Sequence, residues 1–416
     1  MEDCNLKILH IVAGDLTSGA ARGAYWLHTA LKELGVDSKI FTNSRVTFGD
    51  NSVVTITNSK KSKAVNIIRG QLDNLPPLLY KKRKKIIFSS GFFGIDFTKT
   101  KEYKDADIIH LHWINGSFVN MKHLAKVEKK MVWTMRDMWP MTGGCHVAES
   151  LNCGNYKVGC GNCKQLNSNN KYDLSRFILN RKKKYLPKNM KIVGISHWLS
   201  SKAKESELFK GFDVQTISNN IDTKEFSPVD KNIAKKILGI KTNKKIILVG
   251  ATNFNDIWKG FSKFIEAIRL LDKDEYYLCF FGNIDKNIVN SLEFEHRSFG
   301  YLNDNISLRL VYSCANVFVA PSLMDAFCKT IVESMGCGTP VVCFDATGPK
   351  DIVTHKVDGY KAEPFKSDDL SSGIEWILNN KKYEELCQKA RNKVVREFDS
   401  FVVAKKYIEL YEEILK

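Results

Sequence analysis

The stretch 317–342, VFVAPSLMDAFCKTIVESMGCGTPVV, decides how the chain is read. Its apolar, β-favouring start stops at Pro321-Ser322, a short loop carries Asp325, and a helix-like run begins near Cys328. A Cys-Gly-Thr-Pro turn then leads into a second apolar strand, TPVVCFD. Strand, helix, strand in that order is the repeating unit of a parallel sheet covered by helices. The same alternation lies upstream, in KKIILVGA, the helix-like FSKFIEAIRLL and YYLCFFG. It occurs again in the first half as LKILHIV, the helix-like ARGAYWLHTALKELG and DSKIFTN, followed by DADIIHLHW, KMVWTMR and KIVGIS.

Between the halves, VQTISNNIDTKEFSP is a strand end running into a Ser-Pro stop, which suits a linker at about residues 217–228. The expected fold class is therefore α/β, with two doubly wound Rossmann-like domains over 1–217 and 218–395 facing a central cleft. A ligand would sit at the carboxyl ends of their strands. FVVAKKYIELYEEILK has an apolar stripe, so 396–416 is expected to be a helix packing across the domains.

With 416 residues, 44% hydrophobic and 26% charged, the chain has about twice the length of a usual single domain and an ordinary globular composition. No run approaches the roughly 20 apolar residues of a spanning helix, and LKILHIV follows Met1-Glu2-Asp3 without a basic flank. The expected location is the cytoplasm. The net charge of +17 falls entirely in residues 1–217, which hold 35 Lys and Arg against 18 Asp and Glu. Runs such as Lys81-Lys82-Arg83-Lys84-Lys85 would attract anionic lipid, giving peripheral association with the inner face of the plasma membrane; a merely solvated surface is the competing reading. Interleaved aromatics and recognisable modules are missing, so nucleic acid is not an expected partner.

Asp325 and Glu333 are eight positions apart, which would span about 12 Å in a continuous helix, so they would touch different groups of one extended ligand. The amides of Cys328, Lys329, Thr330 and Ile331 would be the unpaired donors of the helix's first turn, suited to a diphosphate. Alternatively, Asp325 only caps the helix and Glu333 is solvated. In the first half, Ser18-Gly19-Ala20-Ala21-Arg22-Gly23 opens a helix and lets a ligand approach the backbone, although close helix–strand packing would need the same glycines. His110 and His112 alternate at a strand end and point to one face.

Of the eleven cysteines, Cys4, Cys279, Cys314, Cys328, Cys337, Cys343 and Cys387 read as small buried hydrophobes. Cys145, Cys153, Cys160 and Cys163 cluster within nineteen residues and include a C-x-x-C flanked by glycines. Four thiolates suit a closed structural zinc holding the 143–166 loop; reduced or redox-sensitive thiols are the alternatives.

The segment 321–345 resembles the donor signature of the retaining glycosyltransferases of family four, which have the GT-B fold. NNIDTKEFSP, the LVGA strand end followed by Lys259-Gly260-Phe261, and SGAARGAYWLHTAL extend the likeness. The resemblance implies that Asp325 contacts the donor sugar, Glu333 the nucleotide ribose and Lys259 the donor diphosphate. It also implies that Gly19, Ala20 and Arg22 lie beside the diphosphate, and that His112 lies near the reacting sugar with Trp113 as a platform. Two departures from the family pattern stand out. Its first acid is more usually Glu, and Ala251-Thr252-Asn253 stands where an arginine is common, a loss Lys329 could offset. Arg136 occupies a frequent histidine position; with Asp137 it forms a structural pair or grips an acidic acceptor.

The implied reaction moves a sugar from a nucleoside diphosphate sugar to a glycan or lipid-linked glycan hydroxyl, with retention and without a catalytic metal, in cell-surface polysaccharide biosynthesis. A sugar-nucleotide epimerase of the same fold and a non-catalytic nucleotide-sugar-binding subunit are the rival readings.

Overall fold

The computed structural model describes residues 6–17, 19–44, 49–57 and 59–416. Cys4 and Ser18, both singled out above, lie outside the described residues. The chain divides into two compact units. The first runs to Asn220 and includes Val403–Lys416; the second is Ile221–Val402.

The first unit contains β1 (Lys7–Val12), β2 (Asp37–Thr42), β3 (Val53–Thr55), β4 (Ile108–Leu111), β5 (Lys130–Met135), β6 (Lys191–Gly194) and β7 (Val214–Thr216). They form one parallel sheet in the order β3-β2-β1-β4-β5-β6-β7. The chain thus starts in the middle, winds outward to β3 and returns past β1 to β4. The carboxyl ends of β1 and β4 flank the reversal, where open α/β sheets present ligand crevices. There Ala13 N donates to Trp113 O at 2.8 Å. Helix α1 (Gly19–Glu33) covers β1 with Ala21, Ala24, Leu27 and Leu31, a spacing of three and four that puts them on one buried face.

The second unit repeats the topology. Its strands are β8 (Lys245–Asn253), β9 (Tyr276–Asn283), β10 (His296–Ser298), β11 (Val317–Ala320), β12 (Val341–Phe344) and β13 (Gly359–Ala362). They lie parallel in the order β10-β9-β8-β11-β12-β13, so the reversal falls between β8 and β11. Ile247, Val249, Leu278, Phe280, Val317, Val319 and Val342 fill the core under the helix Phe261–Ile268, which stops three residues short of the expected apolar run.

The C-terminal helix differs from the expected 396–416 element. Tyr383–Glu397 is a separate helix, and Asp399 restarts the chain by accepting the amide of Phe401 at 2.9 Å, so the last helix is Ser400–Leu415. From Val403 on it belongs to the first unit's core, where Val403, Tyr407, Leu410, Tyr411 and Ile414 pack with Leu6, Ile8, Leu31, Ile108 and Val132. Helix α2 (Lys60–Leu78) and the exposed residues it carries have no counterpart in the sequence reading. Cys279, Cys314, Cys328, Cys337 and Cys343 are buried, as small hydrophobes would be, and Cys387 is half-buried.

Candidate functional site

At the reversal of the second sheet, the chain leaving β8 makes a short 3-10 turn over Ile257–Lys259, started by the Asp256 carboxylate accepting the amide of Trp258 at 3.0 Å. Gly260 ends it at φ 66°, and a Cβ there would lie 1.8 Å from the carbonyl oxygen of Pro321. The turn is therefore pressed against the end of β11, with Leu323 N donating to Trp258 O at 2.8 Å. The approach sets Lys259 Nζ 2.7 Å from Asp325 Oδ2. The other carboxylate oxygen, Oδ1, accepts the amides of Phe327 at 3.1 Å and Cys328 at 2.9 Å. Asp325 raises the lysine's pKa; burial alone would raise that of Asp325, but Lys259 and the two amides outweigh it and hold the acid low.

This geometry revises two expectations. Asp325 accepts amides of the loop just before the helix and is ion-paired with Lys259, while the helix itself has no side-chain cap. The helix is Lys329–Gly336, and its first amides are not all open. Cys328 N is taken by Asp325 and Ile331 N donates to Cys328 O at 3.1 Å, so two of the four expected phosphate donors already have partners. Cys328 sits at φ 64°, the strained hinge between loop and helix, with its Sγ 3.3 Å from Thr330 Oγ1. Glu333 is not solvated. It is 4% exposed and accepts the hydroxyl of Tyr312 at 2.9 Å, a partner that sequence spacing could not supply.

In the first unit, the residues after β4 and β5 form a buried network. Arg136 NH1 donates to Asn219 Oδ1, and NH2 lies 3.2 Å from His112 Nδ1. Since guanidinium can only donate, His112 Nδ1 accepts; neutral His112 then carries its proton on Nε2 and donates to His10 Nδ1 at 2.9 Å. That leaves the proton of His10 on Nε2, which is buried without a partner. His110 hydrogen-bonds Tyr411 Oη through Nδ1 at 2.6 Å and Thr134 Oγ1 through Nε2 at 2.7 Å. Burial pushes the pKa of all three histidines well down.

His112 is thus withdrawn from the surface, 1% exposed and with both ring nitrogens hydrogen-bonded inside the protein. Trp113 is half-buried and donates Nε1 to Asp137 Oδ2 at 2.9 Å. The suggested Arg136–Asp137 pair is also absent. Asp137 instead accepts His146 Nδ1 at 2.7 Å and the amide of Trp139 at 2.8 Å, and His146 Nε2 lies 2.9 Å from Ser89 Oγ. Ser89, His146 and Asp137 fall in the order of a hydrolytic triad, but Ser89 and His146 are both buried, so the chain of bonds acts as a strut for the 137–146 turn. Gly19 is exposed at φ 51°, Ala20 is half-buried beside it, and the Arg22 guanidinium lies 4.7 Å from the Trp26 ring centroid.

Among the described residues, His10, His110 and His112 are the one set of three His, Cys, Asp or Glu side chains whose ligand atoms lie within 4.8 Å of one another. They do not fit a cation well, because five of their six ring nitrogens already have partners and a guanidinium adjoins the set. Cys145, Cys153, Cys160 and Cys163 are not such a set, but they lie together, and the Cys145 thiol feels the charge of the other three. A hydrogen bond from Cys145 brings the Cys163 thiol down to about 7, while burial pushes Cys160 up to about 12. Beneath this loop lies Lys182, fully buried. It donates to the carbonyl oxygens of Trp139 and Thr142, and its Nζ is 3.5 Å from the Trp139 ring centroid.

Residues 230–394 match the family model described as "Glycosyl transferases group 1". Similar sequences include the N,N'-diacetylbacillosaminyl-diphospho-undecaprenol alpha-1,3-N-acetylgalactosaminyltransferase of Campylobacter jejuni, 28% identical over 48% of this chain and 54% of that protein. Another is the N-acetyl-alpha-D-glucosaminyl L-malate synthase of Bacillus anthracis, 26% identical over 54% of this chain and 60% of that protein. The chain thus spans little more than half the length of these relatives. Among solved structures, a sucrose-phosphate synthase from Thermosynechococcus elongatus superposes with a TM-score of 0.71 at 17% identity, covering 99% of each chain. Anabaena Alr3699/HepE, solved with UDP and glucose, gives 0.64 at 16% identity over 98% of this chain and 99% of that one. The chain has the GT-B fold, and its second unit carries a group 1 glycosyl transferase domain related to those of bacterial sugar transferases.

Burial lowers the pKa of Lys182 from 10.5 to about 7. Between those values the unfolded chain holds a proton that the folded chain has lost, so stability rises with pH across the window and the penalty of burying the charge is fully felt below pH 7. Urea unfolding of the wild type and Lys182→Met from pH 6 to 10 should show wild type gaining on the variant above pH 7. A pH-independent difference would contradict the assignment.

Proposed function

We propose that the protein is a retaining glycosyltransferase that moves a sugar from a nucleoside diphosphate sugar to a hydroxyl of a glycan or lipid-linked glycan in cell-surface polysaccharide biosynthesis. The observation that carries this reading is the Lys259–Asp325 pair at 2.7 Å, set at the start of the helix that bears Glu333, inside the segment that matches the family. Lys259 and the amides of Lys329 and Thr330 neutralise charge that develops on the departing diphosphate, an electrostatic contribution made by groups already in place. Asp325 faces the donor sugar and Glu333 the ribose. Donor phosphate entering beside Asp325 takes a share of Lys259, loosening the pair and freeing a carboxylate oxygen for the sugar hydroxyls. The chemistry assigned to these groups needs no catalytic metal. In the first unit, the residues after β4 and β5 receive the acceptor. The names of the two relatives point to a diphosphate-linked acceptor and to L-malate.

The first unit also carries the features of a membrane-docking face. On α2, Val65, Ile68, Leu72 and Leu75 are exposed at helical spacing, and the stripe continues to Leu79, which is 83% exposed. The five basic residues 81–85 follow directly. An apolar stripe beside a basic run is the pattern of a helix lying in a bilayer interface, where each basic residue adds about 1 kcal/mol on an anionic surface.

Two outcomes are expected. In a thermal-shift panel of nucleoside diphosphate sugars, one donor at 100 times its dissociation constant should stabilise the wild type by about 2.7 kcal/mol. Lys259→Ala and Glu333→Gln should each weaken that donor about ten- to a hundredfold, the worth of one charge-assisted hydrogen bond. Donor-dependent product must then require an added acceptor; isomerised donor sugar without acceptor would establish the epimerase instead. In co-sedimentation with vesicles containing phosphatidylglycerol, binding should drop when Leu72→Asp and Leu75→Asp are combined. It should also drop between 0.15 M and 1 M salt, as the screening length falls from about 8 to about 3 Å. Binding indifferent to both changes would refute the docking face.

A further inference from the structure

We propose that Arg136 is a specificity residue for an acceptor that carries an anionic group, a carboxylate or a phosphate. The assignment rests on the reading of the first unit as the acceptor half. Arg136 is 9% exposed, and although burial lowers its pKa to about 10 its guanidinium is charged at neutral pH. A buried charge is ordinarily retained only against an opposite charge. Arg136 has none: no Asp or Glu lies within ion-pair distance of it among the described residues. Its two partners, Asn219 Oδ1 and His112 Nδ1, are neutral, and its Nε has no partner.

The neighbouring acid is unavailable for a structural reason. Asp137 spends its oxygens on Trp113, His146 and the amide of Trp139. Nor do the adjoining histidines supply negative charge, since their relay runs from Arg136 through His112 to His10 and ends on another unpartnered donor, Nε2. Helix α1 does not correct the imbalance. A Cβ at Gly23, in its second turn, would lie 2.6 Å from Arg136 NH1, so the guanidinium packs directly on the helix backbone, which offers it no negative charge. The buried guanidinium, with its unpartnered Nε, is a positive site that the described residues leave without an opposite charge. An anionic substituent on the ligand completes it, and His112 acts as the positioning residue that fixes the guanidinium plane.

The test measures stabilisation of the full chain by glucose, glucose 1-phosphate and glucuronate, with wild type, Arg136→Gln and Arg136→Lys. At least one of the two anionic sugars should bind wild type tenfold or more tightly than glucose. The winning probe identifies phosphate or carboxylate as the group. Arg136→Gln should reduce that preference to the glucose level and Arg136→Lys should keep part of it, while the nucleotide-sugar shift stays the same in all three. If Arg136→Gln does not fold, Gly23→Ala, which displaces the guanidinium, serves in its place and should show the same loss. Equal binding of all three sugars to wild type, or an anion preference that survives loss of the guanidinium, overturns the proposal. An intact anion preference with no shift from any nucleotide sugar would count against the transferase reading and not against Arg136.

Discussion

The ion pair between Lys259 and Asp325 is the contact on which the account of the second unit depends. It is not chiefly a stability device. The lysine side chain is 34% exposed and the aspartate 19%, and pairs that water reaches are worth about 0–1 kcal/mol. Its importance is positional. Backbone packing fixes it from both sides, through Gly260 pressed on the carbonyl of Pro321 and through the amides of Phe327 and Cys328 closing on the carboxylate. A cation and an acid are thereby presented at the carboxyl ends of β8 and β11, where the sheet reverses direction.

The first unit uses the same topology to a different end. Its reversal between β1 and β4 also collects charged and polar side chains, but here the cation is buried and left without an acid. A partly exposed, paired lysine can exchange partners at little cost when phosphate arrives. A buried, unpaired arginine is poised instead to gain from any anion that reaches it. The Tyr407 and Tyr411 hydroxyls hold Thr134 and His110 from behind, so the last helix of the chain stiffens the network that supports Arg136.

Most of the fold could be read in the sequence because each strand and helix carries its own periodicity. The helix after Cys328 and the strands on either side of it came from local apolar runs and a proline stop. Asp325 and Lys259 could be singled out because motif and spacing are local. What could not be read was anything depending on strand order. His10 and His110 are register partners on adjacent strands, 100 positions apart in sequence, so no motif joins them. Asn219 meets Arg136 across 83 positions, and Tyr312 meets Glu333 from another helix. For the same reason, the geometry of the four cysteines and the true partner of Asp137 followed from side-chain placement rather than spacing. The apolar stripe of α2 was present in the sequence as Val65, Ile68, Leu72 and Leu75, but only its exposure separates a docking face from a core face.

Amide hydrogen exchange with and without a nucleoside diphosphate sugar tests the central claim most directly, because it reports where the donor sits without requiring turnover. The account predicts added protection confined in the second unit to the turn at 257–261 and the helix start at 327–333, and its loss in Lys259→Ala. Protection that leaves these segments unchanged while the donor is demonstrably bound would contradict it.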